Sequence, residues 1–172
     1  MKLWTVGHST RTAQDFCEIL LAHNIETLVD VRTFPMSRRH PQFNKSVLAG
    51  SLETAGIQYH HEPRLGGRRT PRKDSHNTAW QNAGFRGYAD HMETEEFKQG
   101  LQALLELSRK THTAIMCAEA VWWRCHRSLI ADYLKAAGHT VIHIIDEKKI
   151  EEHPFTSAAR IVDGQLSYRA LF

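Results

Sequence analysis

The chain has 172 residues, of which 41% are hydrophobic and 24% charged, and its formal net charge is +3 at pH 7. These values are typical of a globular domain with its own core and exclude a disordered, low-complexity chain. No apolar run approaches the roughly 20 residues that span a bilayer, and the first residues lack the pattern of a signal peptide. We therefore expect a cytoplasmic protein with no membrane partner.

The first third of the chain alternates predicted strands and helices. An apolar segment over residues 3–8 ends in a polar turn and predicts a strand. Thr12 and Asp15 have the spacing of a helix start, and the helix is expected to extend to about His23. The alternation continues with a strand over 27–32, a helix over 44–55 and a strand over 57–61.

Residues 62–90 are rich in Gly, Pro, Arg, Asn and Asp and contain few apolar residues. The pattern predicts a long basic loop, and loops of this length inside a compact domain are commonly functional.

The second half returns to alternating elements. Thr94, followed by two glutamates, predicts the start of a helix. The later elements are a strand ending near Cys117, a helix to about Ala137, a strand over 140–146 and a hairpin over 160–168. The alternation predicts a single α/β domain over 1–172, with a largely parallel sheet flanked by helices and a C-terminal antiparallel hairpin.

Residues 117–128 (CAEAVWWRCHRS) combine two thiols, a carboxylate, an imidazole and two guanidiniums between a predicted strand and a predicted helix. The N-terminus of a helix favours anions and thiolates. Cys125 therefore suits a thiol of lowered pKa, and Cys117 suits a nucleophile facing a cleft. The alternative is that Cys117 packs inward as a small apolar residue.

Ligands of open parallel sheets bind beyond the carboxyl ends of the strands. The polar residues that fall at such ends, and that we expect to converge on one cleft, are His8, Ser9, Asp30, Arg32, Cys117, Glu119 and Asp146. We assign candidate catalytic roles to Cys117, Glu119, Cys125, His126 and Asp30.

An anion pocket is expected in the same region, because arginine binds phosphate and carboxylate bidentately and backbone N–H groups add further donors. The candidate substrate-binding residues are His8, Ser9, Arg32, Arg38, Arg64, Gly66, Gly67, Tyr88 and Arg127. Two alternatives stay open. Asp30 and Arg32 can form a structural ion pair, and the aromatic residues can anchor the long loop instead of stacking on bases.

Seven short motifs occur in a fixed order: VGHST at 6–10, DVR at 30–32, Pro35 with SR at 37–38, LGG at 65–67, GYAD at 87–90, MCAE at 116–119 and CHR at 125–127. Over about residues 3–168 they resemble the bacterial and archaeal family labelled domain of unknown function 488. The resemblance implies an α/β fold, a cytoplasmic setting and a single-domain, enzyme-like protein, and it implies no particular reaction.

The strand–cysteine–arginine–helix order is also similar to rhodanese and cysteine-phosphatase domains. Those domains close their anion-binding loop with an arginine five residues after the cysteine. Arg124 and Arg127 both lie farther from Cys117 than that spacing, so a phosphatase or sulfurtransferase is the less favoured interpretation.

We expect an enzyme that acts on a phosphate-bearing substrate, and hence an anionic small molecule or a nucleic acid as partner. One alternative is a nucleotide- or nucleic-acid-binding module without turnover. Another is a zinc- or iron-binding protein, because thiolate, imidazole and carboxylate groups are all present near Cys117. No Cys-x-x-Cys pair occurs, and we assign no metal ligands. The cofactor, the reaction and the oligomeric state stay open.

Overall fold

The frame of the protein is a six-stranded sheet, seen in a computed structural model that describes residues 1–171. Its strands are β1 (Lys2–Gly7), β2 (Thr27–Asp30), β3 (Gln58–His61), β4 (Thr113–Cys117), β5 (Thr140–Ile144) and β6 (Ile150–Glu152). Their order is β3-β2-β4-β1-β5-β6. The first five named strands are parallel, and β6 pairs antiparallel with β5.

Five α-helices cover the two faces of this sheet: α1 (Ala13–Ala22), α2 (Lys45–Thr54), α3 (Ala83–His91), α4 (Glu95–Lys110) and α5 (Arg127–Ala136). Apolar residues of α1 and α2 share one core cluster with Leu28 and Met116. Those of α3, α4 and α5 share another with Val29 and Ile115. Because successive strand residues point to opposite faces, β2 and β4 are buried at every position. The predicted α/β domain with a mostly parallel sheet is confirmed.

The predicted helix starts are confirmed by their caps. The Thr12 hydroxyl accepts a hydrogen bond from the Asp15 N–H at 3.0 Å, and the Thr94 hydroxyl accepts one from the Phe97 N–H at 3.2 Å. Each bond satisfies a donor that the first turn of a helix leaves free.

The segment predicted as a loop over 62–90 is only partly irregular. It contains a 3-10 turn over Pro63–Leu65, and its end folds into α3, which Asn82 caps. This helix was not predicted because it contains Gly84 and Gly87, and glycine disfavours helices. Gly87 is nevertheless required there, since a Cβ at this position would lie 2.1 Å from the carbonyl oxygen of Arg69.

The C-terminal hairpin consists of β7 (Arg160–Val162) and β8 (Gln165–Ser167). Asp163 and Gly164 both have positive φ, as expected of the turn predicted from this pair. The hairpin forms a sheet of its own. The antiparallel addition to the main sheet is β6, which was not predicted because it is short and exposed. Within residues 1–171, no helix has the length and apolarity needed to cross a membrane.

Candidate functional site

A cleft of about 870 Å³ opens beyond the carboxyl ends of β1, β2 and β4. The predicted site residues that line it are His8, Ser9, Arg32, Gly67, Tyr88, Cys117, Glu119, Cys125 and His126. They come from five separate parts of the sequence and meet because the parallel strands end at one edge of the sheet.

The other predicted residues lie outside the lining. Arg64 pairs with Glu62 at 2.8 Å, and Gly66 packs against Thr33. Arg38 is exposed, and Asp146 is exposed in the turn after β5. The remaining two, Asp30 and Arg127, are buried beneath the cleft.

The N–H groups expected to bind an anion at residues 65–67 are partly occupied. The N–H of Leu65 donates to the carbonyl of Glu62, and that of Gly66 donates to Pro63. Tyr88 donates its hydroxyl proton to the Leu65 carbonyl at 2.8 Å, and burial raises the pKa of this hydroxyl well above its ordinary value. The hydrogen bond from Tyr88 therefore anchors the segment around Leu65, which precedes Gly67 at the cleft.

Asp30 holds Arg32 in place. Its carboxylate accepts hydrogen bonds from Nε of Arg32 at 2.9 Å and from Nη2 at 2.7 Å. It also accepts one from the hydroxyl of Tyr59 at 2.5 Å, and Nη2 of Arg32 donates to the Phe43 carbonyl as well. This geometry is that of the structural ion pair considered as an alternative above. Only Nη1 of Arg32 is left to face His8 and the cleft.

The ring of His8 has one defined tautomer. Its Nδ1 lies 2.8 Å from the carbonyl oxygen of Ser9, which only accepts, and its Nε2 lies 3.4 Å from Nη1 of Arg32, which only donates. The Nδ1 atom therefore carries the proton. Burial, together with the charge of Arg32, lowers the pKa of His8 to about 4, so His8 is neutral at neutral pH.

Cys117 and Cys125 form a pair of unequal sulfur atoms at the base of the cleft. Their Sγ atoms lie 2.9 Å apart, and the N–H of Arg127 donates to Sγ of Cys125 at 3.2 Å. Burial raises the pKa of the Cys117 thiol well above its ordinary value. Burial acts in the same direction on Cys125, but hydrogen bonds from Cys117 and His126 and the charges of His126 and Arg127 outweigh it and hold its pKa well below the ordinary value. Cys125 is accordingly the more acidic thiol of the pair, and these opposite directions are those of a pair in which Cys117 donates to Cys125.

Arg127 supports the same assignment. Its side chain is 1% exposed, and its Nη2 donates to the carbonyls of Glu119 at 2.8 Å and Ala120 at 3.2 Å. Across residues 1–171, no carboxylate lies within 4.0 Å of this guanidinium, and its Nε has no hydrogen-bond partner. A nearby anion stabilises a buried cation, and the charge of Arg127 is one of those that lower the pKa of Cys125.

A buried chain of hydrogen bonds continues from Arg127 through the sheet. Nη1 of Arg127 lies 3.5 Å from the hydroxyl of Thr5, which lies 2.5 Å from Nδ1 of His143. Nε2 of His143 is 2.8 Å from Nδ1 of His153, whose Nε2 is 2.8 Å from the carboxylate of Asp132. The chain begins at an obligate donor and ends at a carboxylate, so every link can run in one direction with both rings neutral. Burial lowers the pKa of His143 to about 2. No pattern in the sequence predicted this chain of hydrogen bonds.

The mouth of the cleft has features that the sequence analysis did not assign to the site. Phe34 and Met36 are 63% and 76% exposed, and the guanidinium of Arg68 lies 5.3 Å from the ring centroid of Phe34. Arg124 also lines the cleft. Neither Arg68 nor Arg124 has a carboxylate within 4.0 Å in the described part of the chain. The positions of Phe34 and Met36, on either side of Pro35 in a motif, were the available signal.

No three His, Cys, Asp or Glu side chains in residues 1–171 converge as a metal site requires. The zinc or iron alternative therefore gains no support from the geometry.

One of three comparisons with known proteins found a match. A search of curated proteins and a search of solved structures each found no match. A family model described as a domain of unknown function matches residues 12–134, which include α1, the segment after β2 and both cysteines of the cleft. The chain belongs to the DUF488 family.

Proposed function

We propose that this protein is an enzyme that acts on a phosphate-bearing substrate, a nucleotide or a nucleic acid, in the cleft beyond β1, β2 and β4. One observation carries the proposal. The same cleft contains a cysteine just before α5, whose pKa is held well below its ordinary value, and guanidiniums that have no carboxylate partner in the described part of the chain.

The binding half of the proposal rests on Arg68 and Arg124. An arginine that is not paired with a carboxylate keeps its donors for a phosphate, which it binds bidentately. Phe34 and Met36 add exposed apolar surface beside these charges. A cationic groove with an exposed aromatic ring is typical of sites that bind nucleotides or single strands, where bases contact the ring and arginines neutralise phosphates.

The chemical half rests on Cys125. A thiolate is the nucleophilic form of cysteine, and neighbouring cations lower its pKa. Glu119 is an exposed carboxylate that lines the cleft and is our candidate for general acid–base work. Nε2 of His126 donates to the carbonyl of Val31 at 2.8 Å, and this contact fixes the ring at the cleft. In this scheme Asp30 and Arg127 position groups and do not touch the substrate.

A screen for turnover tests the proposal. The purified protein is incubated with nucleoside mono-, di- and triphosphates and with a single-stranded oligonucleotide, and products are identified by mass spectrometry. We expect a product from at least one of these compounds with the wild type and none with Cys125→Ser, whereas binding is retained by the variant.

The outcomes separate the alternatives. Binding without any product from the whole set would replace the enzyme with the binding module. Absence of both binding and product at low salt would refute the phosphate-bearing substrate altogether.

A further inference from the structure

The two sulfur atoms in the cleft are close enough to bond to each other. Their separation is 2.9 Å, and a disulfide requires about 2.05 Å, so closure needs a movement of about 0.9 Å. The connecting segment is exposed at residues 118–120 and again at Trp123 and Arg124. A small adjustment of this segment therefore does not require the apolar core to move.

The two atoms also differ in the way that stepwise disulfide formation requires. Both cysteines line the cleft, but Cys125 is the more exposed of the two and its pKa is held well below the ordinary value, so it is the sulfur expected to react first with a small oxidant. Cys117 is kept protonated by burial and donates towards Cys125. The sulfur of Cys125 attacks the oxidant, and the sulfur of Cys117 is already in place to complete the disulfide.

We propose that Cys117 and Cys125 form a reversible, redox-active pair that is oxidised by a hydroperoxide. The Cys125 thiolate attacks one peroxide oxygen, the O–O bond breaks, and Cys125 becomes a sulfenic acid while an alkoxide leaves. The alkoxide takes the proton of Cys117 and departs as an alcohol. The Cys117 thiolate then attacks the sulfenic sulfur, and hydroxide leaves as the S–S bond forms. A dithiol returns the two electrons and restores both thiols.

The third cysteine provides an internal control. Cys17 lies on α1, half-buried, with its Sγ 3.9 Å from the carbonyl oxygen of Ser51. Burial raises its pKa. It belongs to the core cluster on the opposite face of the sheet from Cys117 and Cys125. Oxidation of the pair should therefore consume two thiols and spare one.

Peptide mapping tests this proposal without knowledge of the substrate. The protein is treated with hydrogen peroxide, the remaining thiols are blocked with N-ethylmaleimide, and the chain is digested with trypsin. Cleavage after Lys110, Arg124 and Arg127 separates the two cysteines into peptides 111–124 and 125–127. We expect a disulfide-linked pair of these peptides, its loss after dithiothreitol, and maleimide on Cys17.

Two variants complete the test. Cys17→Ser should give the same linked pair. Cys117→Ser should accumulate sulfenic acid at Cys125, which dimedone traps. In the wild type, a dimedone adduct at Cys125 without the linked pair, or three unmodified thiols after peroxide, would overturn the proposal. Neither result bears on phosphate binding or turnover, so this proposal and the proposed function can fail separately.

Discussion

The N–H of Arg127 points at the sulfur of Cys125 across 3.2 Å, and the guanidinium of the same residue lies buried without a carboxylate beside it. One residue thus supplies both a hydrogen bond and a positive charge to this sulfur. Both lower the pKa of Cys125, whereas burial alone would raise it.

The first prediction concerns the alkylation of Cys125. Its rate of reaction with iodoacetamide should depend less steeply on pH between about pH 6 and pH 8 than the rate at Cys17, because the pKa of Cys125 is held well below its ordinary value. The rate at Cys17, whose pKa is raised, should fall about tenfold for each pH unit. Mass spectrometry of the two peptides measures both rates in one sample. Parallel pH profiles for the two cysteines would contradict the lowered pKa of Cys125.

The second prediction concerns the glycine before the cleft. A Cβ at residue 7 would lie 1.8 Å from the carbonyl oxygen of Glu119, so Gly7→Ala must displace the loop that carries Glu119. We expect the free energy of unfolding to fall by at least about 2 kcal/mol in urea denaturation. Gly50→Ala, at an exposed position of helix α2, is the matched control. It meets no atom within 4 Å and should stabilise by about 0.5–1 kcal/mol. Equal effects of the two substitutions would show that residue 7 does not require glycine.

The fold could be predicted from the sequence to a large extent. Segments whose apolar residues recur about every 3.6 residues, as in helices, alternate along the chain with short apolar segments typical of buried strands. The carboxyl ends of β1, β2 and β4 followed from that alternation, and so did the position of the cleft. The burial of Arg127 did not, because it depends on the close approach of β1 and the 118–120 segment, which are far apart in sequence. The Asp30–Arg32 ion pair was one of the alternatives that the sequence left open, but the contacts of this pair with Tyr59 and Phe43 could not be predicted from any local pattern.

The third prediction distinguishes the structural role of Arg32 from the binding role that we propose for the arginines at the mouth of the cleft. Asp30 is fully buried, and Arg32 is its charge partner. Arg32→Ala leaves that carboxylate unpaired and should lower the free energy of unfolding by about 3–5 kcal/mol. Arg68→Ala removes an exposed side chain and should change it by no more than about 0.5 kcal/mol. Thermal or urea denaturation of both variants provides the comparison. If Arg32→Ala were as stable as the wild type, Arg32 would not be required as the partner of Asp30, and a direct role in binding would be open to it.

The fourth prediction concerns acid. His8 and His143 have folded-state pKa values of about 4 and about 2, below the ordinary 6.5. Above pH 6.5 both rings are neutral in the folded and unfolded chains, and nothing is lost. As the pH falls below 6.5 the unfolded chain binds these protons first, so each ring lowers stability by up to about 1.4 kcal/mol per pH unit.

For His8 this loss ends near pH 4, and for His143 it continues towards pH 2. Urea denaturation at pH 7, 6 and 5 measures the slope, and His8→Gln should reduce it by up to about 1.4 kcal/mol per unit. A wild-type stability that is flat or rises between pH 7 and pH 5 would exclude neutral buried rings.

The most direct test of the central claim is the salt dependence of binding to a fluorescein-labelled oligothymidylate, measured by anisotropy between about 50 and 200 mM KCl. Arg68→Ala and Arg124→Ala should each weaken binding and reduce the slope of log K against log salt by about 0.7, the value for one phosphate contact on a single strand. Arg109→Ala is the control, because Arg109 is exposed near the end of α4, which leads into the opposite end of β4. We predict that this control leaves affinity and slope unchanged. Equal losses in all three variants, or no binding at the lowest salt, would contradict binding of a nucleic acid in the cleft at the carboxyl ends of the strands.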